Sequence, residues 1–328
     1  VEKVKSPTLK VVFNGVDITE EITPLVLHLE YTDHSGGADD EVEIELINDG
    51  RWWGSWYPEK GTSVEVWIGY EGEPFLPCGK FEIEEISFDG PPDRVSLHCV
   101  STSIRKQMRT KKTRAWENTT LSKIVRDIAN EYGGRVIWEG EDVPFKRIDQ
   151  RNETDLAFLQ RLANDYGFKF KVAGNTLVFI KAKQLEALPP IATIYREQCL
   201  NYSIDDKAHK VYKGAEVIYF DPKENRKKSY KFELSNIPVG DYLRVETKNE
   251  NLQQAIEKAK AKLRRKNKGE RTISLTLVGN TKLVAGQVVE LKNFGIYDGR
   301  YLIEKSHHRF GPQEGYKTTL EVSPCLNY

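Results

Sequence analysis

The chain has only four cysteines among its 328 residues, and no two of Cys78, Cys99, Cys199 and Cys325 stand at the C-x2-C spacing of zinc or redox sites. They read as separate reduced thiols, since only proximity in the fold could pair them. No apolar run approaches the roughly 18 residues that a membrane helix needs. The first residues, Val1-Glu2-Lys3-Val4-Lys5-Ser6-Pro7, contain neither an apolar signal core nor a small-residue cleavage site, so synthesis in a cytoplasm is expected. Reactive motifs are missing too: there is no G-x-S-x-G elbow, no G-x-x-x-x-G-K-[ST] loop and no H-E-x-x-H helix. His307-His308 is the one histidine cluster, and neighbours on a strand point to opposite faces, so the pair cannot ligate one metal. The sequence therefore offers no catalytic, cofactor-binding or metal-ligating residue, implies no cofactor, and reads as a structural protein rather than an enzyme.

What is present is an ordinary globular composition, 39% hydrophobic and 30% charged, with a formal net charge of zero. The charge is unevenly spread. Residues 1–100 hold 7 Lys and Arg against 21 Asp and Glu, a balance of −14, which leaves +14 for the remainder. The first part should repel a polyanion and the rest attract one.

Residues 1–103 read as short strands between turn signals. Leu9–Phe13 runs into the hairpin dipeptide Asn14-Gly15, and Leu25–Tyr31, Val42–Leu46, Val64–Ile68, Phe81–Ile86 and Val95–Val100 continue the series with period-two alternation. This spacing suggests a closed or sandwiched antiparallel sheet. A basic stretch, Arg105–Arg114, marks a boundary. Within 104–190, Leu121, Ile124, Val125, Ile128, Ala129 and Tyr132 predict a helix near 120–132, capped by Thr119 or Thr120 and stopped at Gly133. Leu156, Leu159, Leu162, Ala163 and Tyr166 predict another near 153–166, with Asn152 as cap, Asp155 in a capping-box position and Gly167 as stop. Both end in Tyr-Gly and lead into an extended segment, a weak internal repeat. Over 191–328 the strand pattern returns, interrupted near 250–267 by a helix with Leu252, Ala255, Ile256, Ala259 and Leu263 on one face. The fold class is α+β and mainly β, two β-rich domains around a small two-helix module.

Several features admit a blander and a sharper reading. The aromatic run Arg51-Trp52-Trp53-Gly54-Ser55-Trp56-Tyr57-Pro58 could stack sugars or nucleobases, and more often anchors a loop or a subunit contact. Arg105–Arg114 and Lys258–Lys268 could touch phosphates, although the cations of the helix read as an outward, solvated face beside Glu257. Paired carboxylates of a glycosidase type are set by distance in the fold and leave no sequence signature. A cell-wall hydrolase and a carbohydrate- or nucleic-acid-binding module therefore stand as the competing classes.

The segment Asn152-Glu153-Thr154-Asp155-Leu156-Ala157-Phe158-Leu159-Gln160-Arg161-Leu162-Ala163-Asn164-Asp165-Tyr166-Gly167 resembles the helix and Tyr-Gly signature of the late control D family of phage tail proteins, the baseplate hub proteins. Gly279-Asn280, Leu283–Leu291, Asp298–Ile303, His308 and Gly315–Val322 are similar to that family's last barrel, and Leu121–Gly133 to its first helix, so the resemblance covers about 100–328. The same architecture occurs in the hub portion of type VI secretion spike proteins. The resemblance implies two related antiparallel barrels of tube type, at 1–103 and 191–328, flanking the module at 104–190. It implies a homotrimeric ring in the tail baseplate of a contractile injection particle, a symmetry adaptor between a hexameric tail tube and a trimeric spike. Tape measure and other baseplate proteins would be further partners, and any spike a separate polypeptide, since the sequence stops at Tyr328. DNA would pass through the lumen without specific binding, past a wall partly lined by the acidic excess of residues 1–100. Assembly in a bacterial host cytoplasm is expected.

Overall fold

A computed structural model describes residues 5–48, 59, 61–101, 104–207, 211–221, 226–234, 237, 239–247, 252–326 and 328. The aromatic run 51–58 lies outside them.

The first β region consists of β1 (Pro7–Phe13), β2 (Val16–Asp17), the single-turn helix α1 (Thr19–Ile22), β3 (Val26–His34), β4 (Glu41–Ile47), β5 (Ser63–Tyr70), β6 (Leu76–Asp89) and β7 (Arg94–Ser101). Alternation dictates the two faces. In β4, Val42, Ile44 and Leu46 are fully buried while Glu41, Glu43 and Glu45 point away from the core. Each such apolar side chain contributes about 1.5–3 kcal/mol by leaving water.

Next come β8 (Lys111–Thr120), α2 (Leu121–Glu131), β9 (Arg135–Glu139), β10 (Pro144–Thr154), α3 (Asp155–Tyr166), β11 (Phe168–Ala173), β12 (Thr176–Lys181) and the short α4 (Ala182–Ala187). Strands β8 and β10 form a two-stranded ribbon, and β11, β12 and β9 a three-stranded sheet with a parallel β12–β9 pair. Helices α2 and α3 bury Ile124, Val125, Ile128, Phe158, Leu159 and Leu162 in one core with these sheets. Thr120 caps α2, its side chain accepting from the Lys123 amide. The cap of α3 differs from expectation. Thr154, not Asn152, accepts from the Ala157 amide at 3.1 Å. Asn152 lies at an irregularity of β10 with φ 51°, so the strand continues two residues further and Asp155 becomes the first helical residue. Gly167 ends α3 at φ 71°, a left-handed conformation that glycine adopts without a Cβ penalty.

The last part contains β13 (Ala192–Tyr195), β14 (Cys199–Asp206), β15 (Gly214–Asp221), β16 (Arg226–Glu233), β17 (Tyr242–Thr247), α5 (Leu252–Gly269), β18 (Arg271–Val278), β19 (Val288–Lys292), β20 (Gly299–Gly311) and β21 (Gly315–Pro324). The expectation of a helix alone inserted among the strands of 191–328 needs correction. Strands β16, β15 and β17 form their own sheet, and Ala215 and Val217 pack with Ala255, Ala259 and Leu263 of α5 in a separate core. The parallel β15–β17 pair and the α5 cover make this a small α/β unit between β14 and β18.

The remaining strands join the two β regions. Hydrogen bonding runs without a break through β14-β18-β21-β20-β3-β4-β7-β6 and on through β5 to β1, with β19 and β13 beside β20. The sheet encloses two apolar cores, one around Val42, Ile44, Val66 and Leu97, the other around Ile273, Leu275, Val289 and Leu320.

Within this sheet a pattern occurs twice. The first region has strand order β3-β4-β7-β6-β5-β1, and the last β14-β18-β21-β20-β19-β13. The irregularities coincide: β3–β4 skips Leu27 and β14–β18 skips Leu200, while β6–β7 skips Glu84 and β20–β21 skips Glu304. The Gly61 amide bonds to the Ile83 carbonyl and the Gly286 amide to the Ile303 carbonyl, both at 2.8 Å. Aligned on these bulges, Gly61-Thr62-Ser63-Val64-Glu65 matches Gly286-Gln287-Val288-Val289-Glu290, and Gly79-Lys80-Phe81-Glu82-Ile83-Glu84 matches Gly299-Arg300-Tyr301-Leu302-Ile303-Glu304. One edge differs, since β1 is antiparallel to β5 whereas β13 is parallel to β19.

Candidate functional site

The feature these elements build is an extended sheet face. At the seam, β20 pairs with β3: His307 stands opposite Thr32, His308 opposite Tyr31 and Arg309 opposite Glu30. Side chains reinforce the ladder. Thr32 Oγ1 and His307 Nδ1 are 3.0 Å apart, and Arg309 lies 3.0 Å from Glu30. The His307 hydrogen bond, with the Arg309 charge adding to it, holds the Glu30 carboxyl below its ordinary range despite partial burial. The face opposite the core carries Glu41, Glu43 and Glu45 on β4 and Glu85 on β6, but Ser274 and Thr276 on β18, and Lys305 and Arg309 of β20 at the seam itself. One repeat thus shows an acidic face and the other a hydroxyl-rich face of mixed charge, where Lys305 pairs with Glu321 and Arg309 with Glu30 and Glu314.

A second cluster locks the module against both β regions. Lys171 of β11 reaches Asp33 at 2.6 Å and Asp40 at 2.9 Å. Lys169 reaches Glu304, whose other oxygen takes Lys268, and Lys268 with Arg264 closes on Glu186 at 3.0 and 2.6 Å. Burial alone would raise the Glu304 pKa, but Lys268 and Lys169 hold its carboxyl far below the usual carboxylate range. The cations of α5 were expected on an outward, solvated face. The structure corrects this for Lys258, Arg264 and Lys268, which are 20%, 14% and 12% exposed and ion-paired to Asp165, Glu186 and Glu304. One polar side of α5, bearing Lys258, Arg264 and Lys268, is packed into the junction, while Lys260, Arg265 and Lys266 are exposed.

Two buried polar groups look reactive by residue type. Asp155, fully buried, accepts from Lys112 and Arg114 at 2.7 Å, Tyr132 at 2.6 Å and Gln150 at 2.8 Å. Burial would raise its pKa, yet these donors bring it below the ordinary 3.8. Two cations of the basic run 105–114 are thereby turned inward. His308, also fully buried, has Nε2 2.8 Å from Ser306 Oγ and 3.1 Å from the Leu283 carbonyl, and Nδ1 2.7 Å from the Tyr316 hydroxyl. A carbonyl only accepts, so Nε2 carries the proton and cannot take one from Ser306. With Ser306 fully buried too, the array is a packed hydrogen-bond network. His307, on the opposite side of the strand, is partly exposed at the seam.

Among the described residues, the carboxylate pairs Asp33 with Asp40 and Glu186 with Glu304 are each bridged by lysine, and Asp155 with Glu131 by Lys112 and Arg114. Among the described residues no three His, Cys, Asp or Glu gather closely enough to hold a metal ion. All four cysteines are free, and burial pushes the Cys99 thiol up to about 12 and that of Cys325 up to about 11. Among the described residues, no helix is long and apolar enough to cross a membrane. The seam went unread in the sequence, and the duplication entered only through the family resemblance, although the paired Gly-x-x-Val-Glu and Gly-[Lys/Arg]-[Phe/Tyr]-x-Ile-Glu segments carry its signal.

Comparison with known proteins gives the same picture. Residues 99–314 match the profile of the family described as phage tail baseplate hub (GPD). The chain is 27% identical over 247 residues to a probable baseplate hub protein of Escherichia phage 186, covering 73% of this chain and 63% of that protein. It is 31% identical over 182 residues to the probable baseplate hub protein of Escherichia phage P2, covering 55% and 46%. The chain thus spans about half to two thirds of the length of these curated relatives. Its fold superposes on the crystal structure of a tail protein from Neisseria meningitidis MC58 with a TM-score of 0.73 at 14% identity, over 97% of this chain and 96% of that one.

Proposed function

This chain belongs to the phage tail baseplate hub family, and on that premise we propose that it is a structural hub of the tail baseplate, a homotrimeric ring that adapts a hexameric tail tube to a trimeric spike. The observation that carries the reading is the strand pattern present twice in one continuous sheet. Three chains with two repeats each present six similar wall segments, the match that a sixfold tube requires, and closed point symmetry is the usual state of such assemblies. The α/β module at 104–190 and the unit of β15–β17 with α5 occur once per chain. They leave a threefold imprint, suited to a trimeric spike. In this reading the repeats are tube-type barrels, and their polar face lines the lumen.

The alternation of acidic and mixed-charge repeats sharpens the expectation for that lumen. Glu41, Glu43 and Glu45 of one repeat would alternate around the ring with Lys305 and Arg309 of the other, instead of forming a uniformly acidic wall. Passing DNA would then meet carboxylates that repel it between stretches where cations are balanced by their own carboxylate partners. Tape measure and other baseplate proteins remain partners of the assembled ring, which forms in the host cytoplasm and stays in the virion.

Solution mass tests the reading. Sedimentation equilibrium is expected to give three times the 37.6 kDa chain mass. A chain that stays monomeric at every concentration and clears peptidoglycan would overturn it in favour of a hydrolase.

A further inference from the structure

The borders of the α/β module at 104–190 differ in kind from its interior. Among the described residues, the module's apolar core around Phe158, Leu159 and Phe179 shares no side chain with the cores of the β regions or of the β15–β17 unit. Ion pairs and hydrogen bonds cross the borders. Lys171 spans Asp33 and Asp40, Lys169 reaches Glu304 and Ser35, and Glu186 takes Arg264 and Lys268. Toward α5, Lys258 meets Asp165, and Gln254 donates to the Pro144 carbonyl at 2.7 Å.

Cavities follow the same borders. One of about 670 Å³ separates Tyr166 and Lys181 of the module from Tyr230 and Phe232 of β16. Another of about 390 Å³ lies between Phe168 and the Val322-Ser323 stretch of β21, and a third of about 360 Å³ between Phe170 and the turn at Gly36-Gly37. Protein interiors close such gaps, and a polar, hollow border is one across which bodies move.

Equivalent parts of the two repeats grip the module. The turn between β3 and β4 holds it on one side. The connection between β14 and β18, the equivalents of β3 and β4, expands into the β15–β17 unit, whose α5 holds it on the other. The first grip is slight: the Gly37 amide donates to the Phe170 carbonyl of β11 at 3.2 Å, and Lys171 closes over both ends of the turn. The second is dense, since Arg264, Lys268 and Arg300 all bind at Glu186, where the chain leaves the module.

We propose that the module is a hinged jaw. Its pivot is the junction at Glu186, and its catch is the β3–β4 turn with Lys171 and Lys169. When the catch lets go, the module turns off the sheet as a rigid body with its own core intact. On the hub reading above, three jaws stand around one end of the lumen, and turning them outward widens the opening offered to a trimeric partner.

Two substitutions should open the catch by unrelated means. Lys171→Met leaves Asp33 and Asp40 without their shared cation. Gly36→Ala changes no charge, but its Cβ would come within 2.7 Å of the Phe170 carbonyl oxygen and push the turn off β11. Spin labels at Glu20→Cys on α1 and Lys123→Cys on α2 report the separation of sheet and module by pulsed dipolar spectroscopy, with Cys199 and Cys325 replaced by serine and labelled chains diluted into unlabelled ones. The parent should give one narrow distance. Each variant should raise a second, displaced population about tenfold over the parent's. Hydrogen exchange at the Gly37 amide should quicken by a similar factor while the amides of α3 stay protected. Lys171→Arg should keep the parent's distribution, and melting against the parent checks that each variant folds. An unchanged narrow distance in both variants, or α3 losing protection together with Gly37, overturns the jaw and makes the module a fixed part of the wall. The ring is tested separately by solution mass: monomers whose module still swings would remove the ring and keep the jaw, and trimers with a fixed module the reverse.

Discussion

Replacing Asp155 with alanine should destabilise the protein by about 3 kcal/mol, because it leaves two cations facing a buried position without their counter-ion. Asp155 has no solvent exposure, whereas Lys112 and Arg114 are 28% and 25% exposed and also reach Glu131. That second acidic partner, and the ability of both cations to turn toward water, keeps the cost at the low end of what a broken buried pair usually gives. Asp155→Asn keeps the volume and part of the hydrogen bonding to Tyr132 and Gln150, so it should cost about half as much. The acid dependence has a definite sign. The folded-state pKa of Asp155 is depressed, so its contribution is complete above the ordinary 3.8 and is lost as pH falls through the folded value. Urea unfolding at neutral pH and below pH 4 would check this. The parent should lose stability on acidification faster than Asp155→Asn, and equal slopes would show that the carboxylate does not carry the effect.

His308 governs a different window. Burial lowers its pKa from 6.5 to about 4, against opposing contributions from the Leu283 carbonyl and the Asp33 charge, while His307 adds a small effect in the same direction as burial. The unfolded chain takes up a proton near pH 6.5 and the folded chain only near 4. Stability should therefore fall by about 3 kcal/mol as pH drops from 7 to 4, and be insensitive to this residue above 7. His308→Gln should remove about one proton from the pH dependence of unfolding across that interval. It should also cost about 1–2 kcal/mol at pH 7, because the Tyr316 hydroxyl and Leu283 carbonyl lose a well-placed partner. An unchanged slope would mean that the imidazole takes up its proton in the folded state as readily as in the unfolded one.

The parts of the fold legible in sequence are those where periodicity and caps act locally. Val42, Ile44 and Leu46 declare a half-buried strand through alternation alone, and Gly167 marks the end of α3 because only the left-handed region closes that turn. The errors arise where tertiary context decides. Asn152 looks like a cap, but a strand irregularity carries β10 past it. Lys258, Arg264 and Lys268 look solvated because charge on a helix face gives no sign of whether water or a buried carboxylate lies opposite. Strands β15–β17 read as part of the last β region because a strand's sequence does not name its partner. The seam is the extreme case. Thr32 and His307 are 275 residues apart, and nothing local to either specifies the other. The duplication left a trace in two glycine-led segments, too short to stand out until the matching bulges align them.

Face-on electron microscopy of the purified chain tests the central claim most directly. The expected images show a ring with an open centre, whose inner wall averages with sixfold symmetry and whose periphery averages with threefold. Compact particles without a central hole, or a ring whose inner wall lacks the sixfold component, would contradict the account.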